Sequence, residues 1–261
     1  MMLSKARVKY LRSLKLKKFR DQEKKFLVEG FRLTSEAAAS DFVVELLVHT
    51  SEFVENPEHA KLVEAFRKRK VEVAEVSGCD LDSFADTVTS QGVAALVQQR
   101  RYRLEDFSRS TQRSQVIVAL DAVSEPGNAG TIIRTADWFG ASAVLMGHGG
   151  VELYNPKVVR STMGSLFHLP IVTDENLSES LKNLHSQGFT IIAADVDAKQ
   201  SYDEIPIPQK VVVIFGNEAH GLSSEVSGQI DHRATIKRLG NAESLNVSVA
   251  CGILLARFCA R

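Results

Sequence analysis

From Val116 onward, short apolar runs alternate with longer segments of helical periodicity, and the runs stop at glycine or a polar residue. Val116–Leu120, Ala143–Met146, Ile171–Val172, Phe189–Ala194, Val211–Phe215 and Ala234–Ile236 have the composition of buried strands. Between and after them, Thr131–Phe139, Pro156–Met163, Leu177–Gln187, Ser223–Ile230 and Leu245–Phe258 read as helices. Asn155 is placed to cap the second of these, and Gly140 and Gly188 to stop the first and third. Strands separated by helices pair in parallel through crossovers. The prediction is therefore an α/β fold with a mostly parallel sheet covered on both faces.

The first hundred residues repeat the alternation on a smaller scale. Phe26–Gly30, Val43–Val48, Val71–Val76 and Val93–Gln98 read as strands, and Phe31–Ala39, Glu58–Lys70 and Leu81–Val88 as helices. Arginine-rich and polar stretches around 99–103 and 108–114 then interrupt the pattern. The expected organisation is a small α/β domain over 1–103, a linker over 104–114 and a larger α/β domain over 115–261.

Charge is balanced overall, Lys+Arg 32 against Asp+Glu 32, but not along the chain. Lys5, Arg7, Lys9, Arg12, Lys15, Lys17, Lys18, Arg20, Lys24, Lys25 and Arg32 crowd the start against only Asp21, Glu23 and Glu29. Val8, Leu11 and Leu14 at helical spacing predict an amphipathic helix with a basic outer face. A solvated face and a nucleic-acid contact both fit that pattern. A membrane surface fits less well, because the apolar stripe is short and lacks Trp. Cys79, Cys251 and Cys259 form no CxxC pair and no metal spacing, so no metal is expected and a reducing, cytoplasmic setting is. No apolar run approaches the ~20 residues that span a bilayer, and no secretory signal is visible.

Three constellations stand out for chemistry. The first follows the strand ending at Leu120: Glu125-Pro126-Gly127-Asn128-Ala129-Gly130, with Arg134 six residues beyond Asn128. Proline and two glycines suggest a sharp strand-to-helix turn, with Asn128 at the helix mouth to cap it or to hold a ligand. The second, Gly216-Asn217-Glu218-Ala219-His220-Gly221-Leu222, follows the most apolar strand. Its glycines permit close backbone approach; Glu218 can accept hydrogen bonds or cap the next helix; His220 reads as a loop residue. The third is Ser244-Leu245-Asn246-Val247-Ser248, at the start of an apolar helix that either Ser244 or Asn246 could cap. The glycine loops of dinucleotide-binding proteins and P-loop NTPases are missing, as is the G-x-S-x-G elbow of hydrolases.

In this order and spacing, the three segments resemble the SpoU-type RNA ribose 2′-O-methyltransferases of the SPOUT superfamily, over roughly Gln115 to Arg261. Residues 1–100, notably Lys24-Lys25-Phe26-Leu27-Val28-Glu29-Gly30, resemble that family's N-terminal RNA substrate-binding domain. The resemblance implies a deep C-terminal trefoil knot, against the general rule that chains are unknotted. It implies S-adenosyl-L-methionine bound in the knot by backbone groups of Gly216, Ile236 and Leu245. It also implies a homodimer with the active site near the subunit interface. Arg134 matches the family's catalytic arginine, and Asn128, Glu218, Ser244 and Asn246 match its other motif positions. Lys237-Arg238 stand where the family often has Pro-Met, and Glu125 where Asp is usual.

The implied reaction is methyl transfer to a ribose 2′-hydroxyl of rRNA or tRNA. An arginine suits it by aligning the oxygen and stabilising the charge that develops there. The alternatives are a catalytically silent RNA-binding or ribosome-assembly protein on the same scaffold, and a base-methylating SPOUT enzyme.

Overall fold

The computed structural model describes residues 2–86, 90–105 and 114–259. The chain forms two compact units, one of residues 1–100 with 154–168, the other of 101–153 with 169–261. Most of the expected linker, residues 106–113, lies outside the described residues, as do residues 87–89 near the end of the helix expected at Leu81–Val88.

In the first unit, helices α1 (Lys5–Ser13) and α2 (Lys17–Glu23) lead into strand β1 (Lys25–Glu29). Then come α3 (Phe31–Ala39), β2 (Val44–His49), α4 (Pro57–Lys68), β3 (Glu72–Glu75), α5 (Gly78–Phe84) and β4 (Val93–Gln98). The sheet order is β1-β4-β2-β3. β4 is antiparallel to both its neighbours, and only β2 and β3 are parallel. Leu11 and Leu14 enter the core beside Leu46, Val48, Leu81, Phe84 and Leu96, so the predicted apolar stripe of α1 faces inward. Arg20 is buried at 3% exposure, and its guanidinium donates to the carbonyls of Leu14 (2.8 Å) and Lys15 (2.6 Å). It satisfies the free carbonyls where α1 ends.

The segment Tyr154–His168, with helix α6 (Pro156–Ser161), belongs to this unit although it follows two strands of the other sheet. The Tyr154 ring lies 4.5 Å from Phe26, and Tyr154 Oη accepts from Arg100 N at 2.9 Å. Phe167 meets Phe42 edge-on at 5.0 Å.

The second unit holds β5 (Gln115–Leu120), α7 (Pro126–Trp138), β6 (Ala143–Gly147), β7 (Ile171–Glu175) and α8 (Leu177–Ser186). It continues with β8 (Thr190–Ala194), β9 (Gln200–Ser201), β10 (Lys210–Phe215), α9 (Ser224–Ser227), β11 (His232–Thr235) and α10 (Val247–Phe258). The seven strands run in the order β7-β6-β5-β10-β8-β11-β9, and every pair is parallel. Val211 to Phe215 are wholly buried at the centre, which explains an apolar run with no alternation. α10 returns from beyond β11 to pack on α7 and β10.

The largest shift of an expected boundary is at α7. α7 begins at Pro126 rather than Thr131, with Glu125 as its N-cap accepting from Gly127 N at 3.3 Å. Proline is well suited to the first helical position, where its missing N–H costs nothing. Asn128 is therefore inside the first turn and is not the cap. The two-residue strand β9 was not expected, and α9 is shorter than Ser223–Ile230.

Candidate functional site

The chain leaves β5 toward β6 on one side of the sheet, while β10 pairs with β5 on the other. Such a reversal opens a crevice at the carboxyl ends of the strands, the usual ligand position in open α/β sheets. The loops after β5 and β10 meet there. Asn217 N and O pair with Gly221 O and N at 2.8 and 2.9 Å, closing a tight loop in which Gly221 adopts φ +67°. Asn217 Nδ2 donates to Ala122 O at 2.8 Å, and Ser223 N donates to the buried Asp121 Oδ2 at 2.6 Å. Gly216 leaves no room for a side chain, since a Cβ there would lie 2.4 Å from the carbonyl of Gly221.

Glu218 lies across this junction. Its Oε1 accepts from Glu125 N (3.2 Å) and Asn128 Nδ2 (2.9 Å), and its Oε2 from Ser124 N (3.1 Å) and Ser124 Oγ (3.0 Å). It does not cap the following helix. Partial burial pushes the carboxyl up, but the bonds from Asn128, Ser124 and Glu125 outweigh that and hold it at about 2. An ionised carboxylate only accepts, so it fixes the Asn128 amide with nitrogen toward Glu218. The Asn128 oxygen then accepts from Asn246 Nδ2 at 3.0 Å. The Asn246 oxygen in turn accepts from Ser248 N (2.8 Å) and Oγ (2.6 Å), which makes Asn246 the cap of α10. One charge thus sets the direction of a chain of hydrogen bonds through two amides.

A cavity of about 980 Å³ opens beside this chain. Asn128, Gly216, Glu218, Ile236, Ser244, Leu245 and Asn246 all line it, so of the catalytic and cofactor positions implied by the resemblance only Arg134 is missing. Lys237 and Arg238 lie on the same wall, and His220 is exposed at its edge. The sequence reading missed Asp195, Val196 and Asp197, which follow β8, and Arg233 of β11, which pairs with Asp195 at 2.8 Å. Their position after a parallel strand was the available signal.

Arg134 is not on the wall of this cavity. Six helical residues rotate it by about 120° from Asn128, at roughly 9 Å along the axis. It is exposed and has no hydrogen-bond or ion-pair partner among the described residues. Trp138, one turn further along the same face, is 84% exposed. The described residues contain no cluster able to hold a metal ion and no helix long and apolar enough to cross a membrane.

The sequence profile of the SpoU rRNA Methylase family matches residues 115–256, and that of the MRM3-like substrate binding domain matches residues 5–95. The 23S rRNA (guanosine(2553)-2'-O)-methyltransferase RlmP of Bacillus subtilis is 31% identical, over 95% of this chain and 94% of its own. An AdoMet-bound rRNA methyltransferase from Sinorhizobium meliloti superposes with a TM-score of 0.85 at 31% identity, over 98% of this chain and 94% of that one. An RNA 2'-O ribose methyltransferase superposes with a TM-score of 0.83 at 30% identity, over 98% and 95%. With its motif residues gathered at the crevice and these likenesses running nearly end to end, the chain belongs to the SpoU rRNA methylase family.

Proposed function

We propose that the protein transfers a methyl group from S-adenosylmethionine to a ribose 2′-hydroxyl of rRNA or tRNA. The observation that carries this reading is the convergence of Gly216, Ile236 and Leu245 with the Glu218–Asn128–Asn246 chain on one cavity. The cavity suits the cofactor. Its volume is that of a small-molecule site, and its walls mix Val196, Leu222, Ile236 and Leu254 with loop backbone and carboxylates. That lining offers apolar cover to a purine and acceptors to a cation. When bound, the cofactor supplies an electrophilic methyl group on its sulfonium.

The chain's own residues hold and orient. Backbone groups of Gly216, Ile236 and Leu245 bind the cofactor. Asn128 and Asn246, locked by Glu218, present their remaining polar atoms in fixed directions. Glu218 is not the proton acceptor, because a carboxyl held at about 2 is too weak a base at neutral pH. Arg134 aligns the 2′-oxygen and stabilises its developing charge. Ser244 completes the motif on the cavity wall.

Because Arg134 does not line its own cavity, the reading includes a homodimer in which it serves a site near the subunit interface. The open apolar surface of Trp138 on α7 and Val249 on α10, two helices packed together, supports that arrangement. The return of α10 to the sheet centre after β11 supports a trefoil knot. The three free cysteines fit a cytoplasmic setting.

The test is transfer from methyl-labelled cofactor to total rRNA and tRNA, followed by nucleoside mapping. A 2′-O-methylated nucleoside is expected. A base-methylated product alone, or binding without transfer, would replace this reading with one of its rivals. Mass-calibrated gel filtration should give a dimer, and Trp138→Glu a monomer with lost transfer; a monomeric wild-type protein with full transfer removes the shared site.

A further inference from the structure

The basic start of the chain divides sharply once folded. Arg7 pairs with Glu72 and Lys25 with Glu45, while Arg20 is spent on the carbonyls that end α1. These cations hold the first unit together. Lys5, Lys9, Arg12, Lys17, Lys18 and Lys24 are exposed, and none has an acidic partner among the described residues. On α1 the free ones fall at i, i+4 and i+7, one face spanning about 10 Å along the axis.

That face is tied to the rest of the unit by named contacts. Ser4 caps α1, Leu3 N donates to Glu75 O at 3.0 Å, and Tyr10 Oη donates to Glu23 Oε2 at 3.3 Å across to α2. Leu11 and Leu14 anchor the opposite side at 1% and 2% exposure. Both helices also place cations where the helix dipole opposes them. Neither α1 nor α2 has an acid in its first turn; Lys5 starts one, and Lys17 and Lys18 the other, whereas Arg7 already has Glu72. Such a placement is unfavourable near a helix N-terminus. Two longer helices follow the dipole instead: α4 starts with Glu58 and ends with Arg67 and Lys68, and α8 starts with Glu179 and ends with His185. A polyanion docked on α1 and α2 offsets that cost.

We infer that the outward faces of α1 and α2, through Lys5, Lys9, Arg12, Lys17 and Lys18, form a phosphate-tracking surface for the RNA that flanks the methylated nucleotide. This inference rests on the RNA reading above and adds the surface that seats the substrate. An anionic membrane fits worse, because the apolar side of α1 is already buried in the core. The pairing expected is with backbone phosphates, so it sets affinity and register and not base preference.

The test uses the full-length chain with three changes on α1: Lys5→Gln, Lys9→Gln and Arg12→Gln. A control carries the same charge loss elsewhere: Lys61→Gln, Lys68→Gln and Lys70→Gln. RNA affinity is measured from 50 to 200 mM salt, and methyl transfer is measured against RNA concentration. Removing three single-strand phosphate contacts lowers the salt slope by about 2, so wild-type affinity falls about 20-fold more steeply over that range than the variant's. KM for RNA rises while kcat at saturating RNA and cofactor affinity hold; thermal melting confirms the fold. The control keeps the wild-type slope. A wild-type slope and KM in the α1 variant, in a protein that does methylate RNA, overturn the surface and leave the function standing. An equal loss in the control shows a net-charge effect and also overturns it. Absence of both RNA binding and transfer in the wild-type protein overturns function and surface together. Flotation of the wild type, but not the α1 variant, with vesicles of anionic lipid and no difference on RNA assigns the face to membranes instead.

Discussion

Glu218 separates two ways a carboxylate can serve a site, and Glu218→Gln and Glu218→Ala tell them apart. Glutamine keeps one acceptor oxygen and turns the other into a donor. With its oxygen at the Oε1 position it still accepts from Asn128 Nδ2 and Glu125 N, while Ser124 Oγ rotates to accept and only Ser124 N–H faces a donor. The reverse orientation sets Asn128 and Glu125 against a donor and costs more. Glutamine therefore loses one charge-assisted bond, about 1.5–3 kcal/mol in full burial. Glu218 is exposed, so about 1 kcal/mol is expected, a fall of roughly 2–4 °C in melting temperature. Because the Asn128 amide keeps its direction, transfer should fall by no more than about tenfold. Alanine frees Asn128 and, through it, Asn246, and misplacement of that size costs about 100-fold. The assay is single-turnover methyl transfer on a fixed RNA, with melting followed by circular dichroism. If Gln is as inactive as Ala at equal stability, charge or proton transfer at Glu218 is what matters, and the orienting argument fails.

The other predictions are shorter. Arg134→Ala should lose at least 100-fold in transfer with cofactor affinity and melting temperature unchanged, since the side chain is exposed and has no partner among the described residues; a fully active variant removes its role. Gly216→Ala should destabilise the second unit by about 1–3 kcal/mol and weaken cofactor binding in calorimetry, because its Cβ meets backbone at 2.4 Å and not a movable side chain. The folded Glu218 carboxyl at about 2 lies below its ordinary 4.5, so its stabilisation is complete above 4.5 and disappears as pH falls through 2. The melting difference between wild type and Glu218→Gln should follow that course; a difference that grows on acidification contradicts it.

Much of this was legible in the sequence where one physical cause dominated. Val211–Phe215 read as a strand because burial on both faces removes any polar constraint, and Phe31–Ala39 was placed to the residue. The candidate site residues stand out as motifs, and folding gathers all but Arg134 of them on one cavity. The start of α7 was misplaced because Pro126, Gly127 and Gly130 signal a turn as strongly as a helix start. The facing of Arg134 was also hidden, since proximity in sequence to Asn128 says nothing of the rotation between them. In the first unit, helical and strand periods were visible, but nothing in them dictated that β4 pair antiparallel between β1 and β2.

The passage of Tyr154–His168 into the first unit has a consequence for cutting the chain. Val158 and Val159 are buried, and Tyr154 and Phe167 close on Phe26 and Phe42, residues on the far side of any cut near 100. A fragment starting at the second unit would carry these apolar side chains with nothing to cover them, and a fragment of residues 1–100 would lose part of its own interior. The two units are therefore poor cassettes. A chimera that exchanges the substrate-binding half between relatives has to move two separate stretches of sequence together, and a simple truncation should aggregate before it informs on activity.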